Sequence, residues 1–77
     1  MTTNLHARFF YNMLADSDSI IQVSSKAGWH SKTMAIHLLE NTSTREWYVF
    51  ELGEEFDDDC FQSFYTLIEA EEHYETL

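Results

Sequence analysis

The chain has 77 residues, 44% of them hydrophobic and 16% aromatic, and four Lys and Arg against fourteen Asp and Glu leave a net charge of −10. That length allows one domain, residues 1–77, and burial of only about 60–65% of the surface that the unfolded chain exposes. Six Phe, four Tyr and two Trp exclude a disordered acidic tail, which would lack the side chains for a core.

In chain order, Asn4 is placed to cap a helix over Leu5–Ala15. Leu5, Phe9 and Met13, with Phe10 and Leu14, recur at helical spacing and form a broad apolar stripe. Asp16-Ser17-Asp18-Ser19 ends it, because short polar side chains compete for backbone hydrogen bonds. Ile20–Ser25 reads as a first strand with Ile21 and Val23 turned inward. Gly28 then offers the positive φ that a reversal often needs. Lys32–Glu40 is a second strand, with Met34, Ile36 and Leu38 on one face and His37 pointing outward. Asn41–Thr44 is a polar turn. Arg45–Leu52 is a third strand whose two faces, Trp47/Val49 and Tyr48/Phe50/Leu52, are both apolar, as befits a central position.

Gly53 punctuates the chain, and an Asp among 57–59 is expected to cap a last helix carrying Phe61, Phe64, Leu67 and Ile68 on one stripe. The reading is an α+β domain of order α-β-β-β-α. Its three-stranded antiparallel meander has both terminal helices packed on one face in a two-layer arrangement.

Charge is divided unevenly along this chain. Residues 1–50 hold Asp16, Asp18, Glu40 and Glu46 against Arg8, Lys26, Lys32 and Arg45, which cancel. Residues 51–77 hold ten carboxylates and no Lys or Arg, so they account for the whole net charge. A solvated face that keeps a small domain soluble is one reading of such a segment. The other is a surface for a partner of opposite sign, because no interspersed cation neutralises it and its self-repulsion costs stability.

Carboxylates three and four apart on a helix stand about 5–6 Å from one another, near enough to phosphate spacing to engage the Lys and Arg of a nucleic-acid-binding groove. Duplex DNA carries roughly one charge per 1.7 Å of its axis. In size and charge, though through no sequence motif, the chain resembles the small DNA mimics with which phages and plasmids act against host restriction, CRISPR or replication machinery. The resemblance implies an anti-restriction or anti-CRISPR type of inhibitor that occupies the basic surface of a nucleic-acid-binding protein. The charge is expected from Glu54, Glu55, Asp57, Asp58, Asp59, Glu69, Glu72 and Glu75, with Trp29, Trp47 and Tyr48 as apolar anchors. If both helices cover one sheet face, the opposite face bears Trp47 or Tyr48, which would make a homodimer or a docked partner. The alternative function is a homodimerising regulatory module whose acidity serves only solubility.

Other functions find little purchase. Glu-Glu-Phe-Asp-Asp-Asp lacks the ligand alternation, glycine and terminal Glu of an EF-hand loop. His6, His30, His37 and His73 form no close pair, and Cys60 is the only cysteine, so neither a zinc site nor an internal disulfide is expected. Cys60 reads as a small core residue, since Asp57–Asp59 beside it oppose a thiolate. With two glycines there is no phosphate loop, and no cofactor or enzymatic activity is expected. Double-stranded-RNA-binding domains share the α-β-β-β-α order, but they need Lys where this chain has Asp57-Asp58-Asp59, so direct nucleic-acid binding is not expected. The N-terminus shows no signal-peptide pattern, and no apolar run approaches the ~20 residues that span a bilayer. A cytoplasmic protein without membrane attachment is the expectation.

Overall fold

The computed structural model describes residues 2–3, 5–28, 33–54 and 59–77. In chain order its elements are β1 (Thr2–Thr3), α1 (Leu5–Ala15), β2 (Ile20–Ala27), β3 (Thr33–Asn41), β4 (Glu46–Gly53), β5 (Cys60–Phe64) and α2 (Leu67–Glu75). This is an α+β fold in which two helices accompany an antiparallel sheet of order β1-β5-β4-β3-β2. The bounds of α1 and the central place of β4 agree with the sequence reading. The three-strand meander does not, because the two-residue β1 and the full strand β5 join the sheet.

The two faces of the sheet follow from the strand register. Leu38 lies opposite Val49 and Trp47 opposite Phe64, whereas Leu39 lies opposite Tyr48 and Phe50 opposite Phe61. Neighbours along a strand point to opposite faces, so these pairs build two separate cores. On one face Ile36, Leu38, Trp47 and Val49 pack with Ala70 and Tyr74 of α2. On the other, Leu39, Tyr48 and Phe50 pack with Leu14 of α1, and Phe10, Tyr11 and Phe61 close around them. The helices therefore cover opposite faces in three layers, in place of the expected two. A central strand apolar on both sides requires this: β4 has four consecutive buried residues, Trp47–Phe50, that one helical layer could not shield.

The α1 face is aromatic. Phe10 sits 4.9 Å from Phe61 between ring centres, Phe50 stacks on Phe61 at 5.0 Å, and Tyr11 meets Phe50 edge-on at 5.2 Å. Only part of the predicted α1 stripe faces this core. Ala7, Phe10, Tyr11 and Leu14 turn in, while Phe9 and Met13 are exposed. The stripe was broader than one sheet face can take up.

Several local expectations also change. Ile21 and Val23 are exposed, because β2 is an edge strand with a bulge between Gln22 and Ser24. Met34 is exposed as well, although Ile36 and Leu38 are buried. No described glycine has a positive φ. Gly28 is needed for closeness instead: a Cβ there would overlap the carbonyl oxygen of Thr33. The positive φ falls on Arg45, at 63°, in the turn between β3 and β4. Asn41 Oδ1 organises that turn by accepting from the backbone N–H groups of Ser43 (3.0 Å) and Thr44 (3.1 Å).

Candidate partner-binding surface

The acidic third of the chain divides into two environments. The first is the end of the connection from β4 to β5. Asp59, expected to serve a helix cap or a partner, is completely buried and leads directly into β5. Its Oδ1 accepts from the backbone N–H of Gly53 at 2.7 Å and from Arg8 Nη2 at 2.9 Å. Arg8 Nε faces Oδ2 at 2.7 Å, an ion pair whose side chains are 27% and 0% exposed, and Arg8 Nη2 also donates to the Gly53 carbonyl at 2.8 Å. This closed set of contacts ties α1 to both ends of the β4–β5 connection. Asp59 is a structural carboxylate, withdrawn from any partner.

Cys60 follows it in β5, buried, with its thiol donating to Glu51 Oε2 at 2.9 Å. Burial first, then the hydrogen bond and charge of Glu51 and the charge of Asp59, push the thiol up to about 12. A thiolate is thus absent near neutral pH, in keeping with the reading of Cys60 as a core residue.

The second environment is α2. Thr66 caps it: the Thr66 hydroxyl accepts from Glu69 N–H at 3.2 Å and donates to Glu69 Oε1 at 2.8 Å. This Thr-x-x-Glu pattern is the helix start that sequence analysis placed too early, among Asp57–Asp59. Leu67, Ala70, Tyr74 and Leu77 then face the sheet. Tyr74 fixes the far end, with its hydroxyl 3.1 Å from Ser24 Oγ and its carbonyl accepting from Lys26 Nζ at 2.8 Å. The Lys26 ammonium also lies 4.5 Å from the centre of the Tyr74 ring.

With that phase set, Glu69, Glu71, Glu72 and Glu75 point to solvent. Among the described residues, no Lys or Arg makes an ion pair with any of them. Ile68 stands among these carboxylates: Glu71, Glu72 and Glu75 follow it at i+3, i+4 and i+7, on its own side of the helix. It is 70% exposed, and Tyr65, just before the Thr66 cap, is 82% exposed. Sequence reasoning missed the exposure of Ile68 and Tyr65. Ile68 had been drawn into an inward stripe with Phe61 and Phe64, which belong instead to β5. The start at Thr66 carries the signal that corrects the phase.

Of the other expected contact residues, Glu54 is exposed. Trp47 and Tyr48 are core residues of the two opposite sheet faces and offer no anchor. Trp29, Glu55, Asp57 and Asp58 lie outside the described residues, as does the predicted Asn4 cap. A bare sheet face for dimerisation does not exist, since each face carries a helix.

His37, expected to point outward, points into the α1 layer. Its ring centre is 5.4 Å from that of Tyr11, and Nδ1 is 3.1 Å from Gln22 Oε1. Burial lowers its pKa from the ordinary 6.5. The unfolded chain therefore takes up this proton more readily. The associated stability is fully present above 6.5 and is lost as pH falls from there through the lowered value.

Among the described residues, no group of three or more His, Cys, Asp or Glu is arranged to hold a metal ion. No described helix is long and apolar enough to cross a membrane. The chain matches no protein-family model, no curated protein and no solved structure.

Proposed function

We propose that the chain is a non-enzymatic, protein-binding modulator whose α2 outer face occupies the basic, nucleic-acid-binding surface of a target protein, in the manner of a DNA mimic. The observation that carries this reading is the placement of Glu71, Glu72 and Glu75. They lie exposed in the middle and last turn of α2, without a cationic partner among the described residues. Anions near a helix C-terminus oppose the macrodipole. Like charges at i, i+4, such as Glu71 and Glu75, cost about 0.2–0.5 kcal/mol per pair. Binding a cationic partner would repay that cost.

Exposed Ile68 and Tyr65 supply what charge alone lacks. Electrostatic complementarity steers encounter and sets salt sensitivity, whereas desolvated apolar contact slows dissociation. A target surface lined by Lys and Arg, with an apolar depression to receive Ile68, matches this face.

Capture of partners on immobilised protein tests the reading, using nuclease-treated lysate of the source organism, a salt-step elution and mass spectrometry. A nucleic-acid-binding protein released by the salt step is the expected result. Recovery of partners indifferent to salt would contradict it.

A further inference from the structure

Resting on the reading of α2 as the binding face, we infer that this face continues across the sheet to Ile21 of β2. A cationic target surface that also carries apolar side chains then grips Ile68 and Ile21 together. Strand register places Ile21 on the α2 side of the sheet. Ile21 pairs with Glu40, Glu40 with Trp47 and Trp47 with Phe64. Residues paired across strands project from the same face, and Trp47 of this row packs against Ala70 and Tyr74 of α2. The helix starts from the same row, since Phe64 ends β5 and Leu67 begins α2. It lies over β5, β4 and β3 and reaches β2 near its own end, where the Tyr74 hydroxyl meets Ser24 Oγ at 3.1 Å. Its first turns therefore leave Ile21 uncovered, at 48% exposed. Glu40 stands between Ile21 and the helix. Glu71, one turn before Tyr74, lies on the same side of α2 as that tyrosine.

Charge selects the occupant. Among the described residues, no Lys or Arg makes an ion pair with Glu40 or Glu71. The cation on this face of β2, Lys26, is engaged by the Tyr74 carbonyl and ring. The shelf from Ile21 to Ile68 is thus apolar at both ends and anionic between them. A second copy of the chain would set carboxylates against carboxylates there, which disfavours it. A purely cationic surface would leave both isoleucines in water. Lys and Arg interleaved with apolar side chains satisfy both features, so the target surface is amphipathic.

Methyl NMR tests this directly, because the isoleucines of the chain are Ile20, Ile21, Ile36 and Ile68. The probe is a synthetic peptide alternating Arg with Leu, titrated into protein labelled at its Ile and Met methyl groups. Ile21 and Ile68 should shift along one binding curve. Buried Ile36, and Met13 exposed on α1 across the sheet, should stay in place. Ile21→Ser should weaken peptide binding about three- to tenfold, as expected for losing part of one apolar contact, with the Ile36 signal unchanged. Ile21→Val should keep the affinity. Shifts at Ile68 with Ile21 unmoved would overturn the extension onto β2 and leave α2 as the binding face. So would an Ile21→Ser variant that binds as tightly as the wild type. No shift at either isoleucine, or equal shifts at Met13, would overturn the extension and the α2 reading together.

Discussion

Asp59 and the glutamates of α2 belong to the same acidic third of the chain and have opposite fates. Asp59 is sealed inside, with Arg8 and the Gly53 backbone consuming its oxygens. Glu71, Glu72 and Glu75 stand in solvent with no cation beside them among the described residues. A run of like charges is therefore not a functional unit. Each carboxylate is assigned by its own surroundings, and only those left uncompensated remain for a partner.

The largest effect expected from breaking that contrast is at Asp59. Asp59→Ala takes the carboxylate from Arg8, which keeps its hydrogen bond to the Gly53 carbonyl, and leaves the Gly53 N–H without its acceptor; breaking a buried pair costs about 3–5 kcal/mol. A chain of this length has a total stability of roughly 4–12 kcal/mol, so urea denaturation should find a quarter or more of it gone. Neutralising acidic residues to probe binding must therefore leave Asp59 in place.

Lys26 comes next, a cation that α2 does recruit, at its C-terminal end. Lys26→Met keeps much of the side-chain volume but removes the charge from the Tyr74 carbonyl and ring. A charge-assisted hydrogen bond at a helix C-terminus contributes about 1–2 kcal/mol, which a shift in the denaturation midpoint would register. Thr66→Ala removes the α2 cap and should cost about 1 kcal/mol. The smallest change reverses sign: Glu75→Gln should raise stability by a few tenths of a kcal/mol, because it relieves repulsion and the macrodipole conflict. A loss of stability in Glu75→Gln would mean that the outer carboxylates serve the fold.

The sequence made α1, β3 and β4 legible because each announces itself locally. Helical spacing over Leu5–Ala15 and the short apolar runs at Ile36–Leu39 and Trp47–Phe50 need no tertiary information. β5 was hidden for a physical reason. Phe61, Phe64, Leu67 and Ile68 fit a helical repeat as well as they fit a strand followed by a helix. The choice is made by the open side of β4, which pairs Trp47 with Phe64 and Phe50 with Phe61. The separation of the helices onto two faces was foreshadowed by the two apolar faces of β4.

The candidate surface was legible as acidity and illegible in detail. Arg8 and Asp59 are 51 positions apart, and nothing local connects them. Trp47 and Tyr48 carried the composition of an interface but the position of a core. Ile68 looked like core until Thr66 set the phase of the helix.

If the outer face of α2 binds where nucleic acid would bind, duplex DNA must displace it from its target. Wild-type protein and the Glu71→Gln, Glu72→Gln, Glu75→Gln variant would each be immobilised and exposed to the same nuclease-treated lysate, then washed with duplex DNA. The expected result is a protein released by DNA from the wild type and not retained by the variant, which stays folded. Equal retention by the two, or a bound protein that duplex DNA leaves in place, would contradict it.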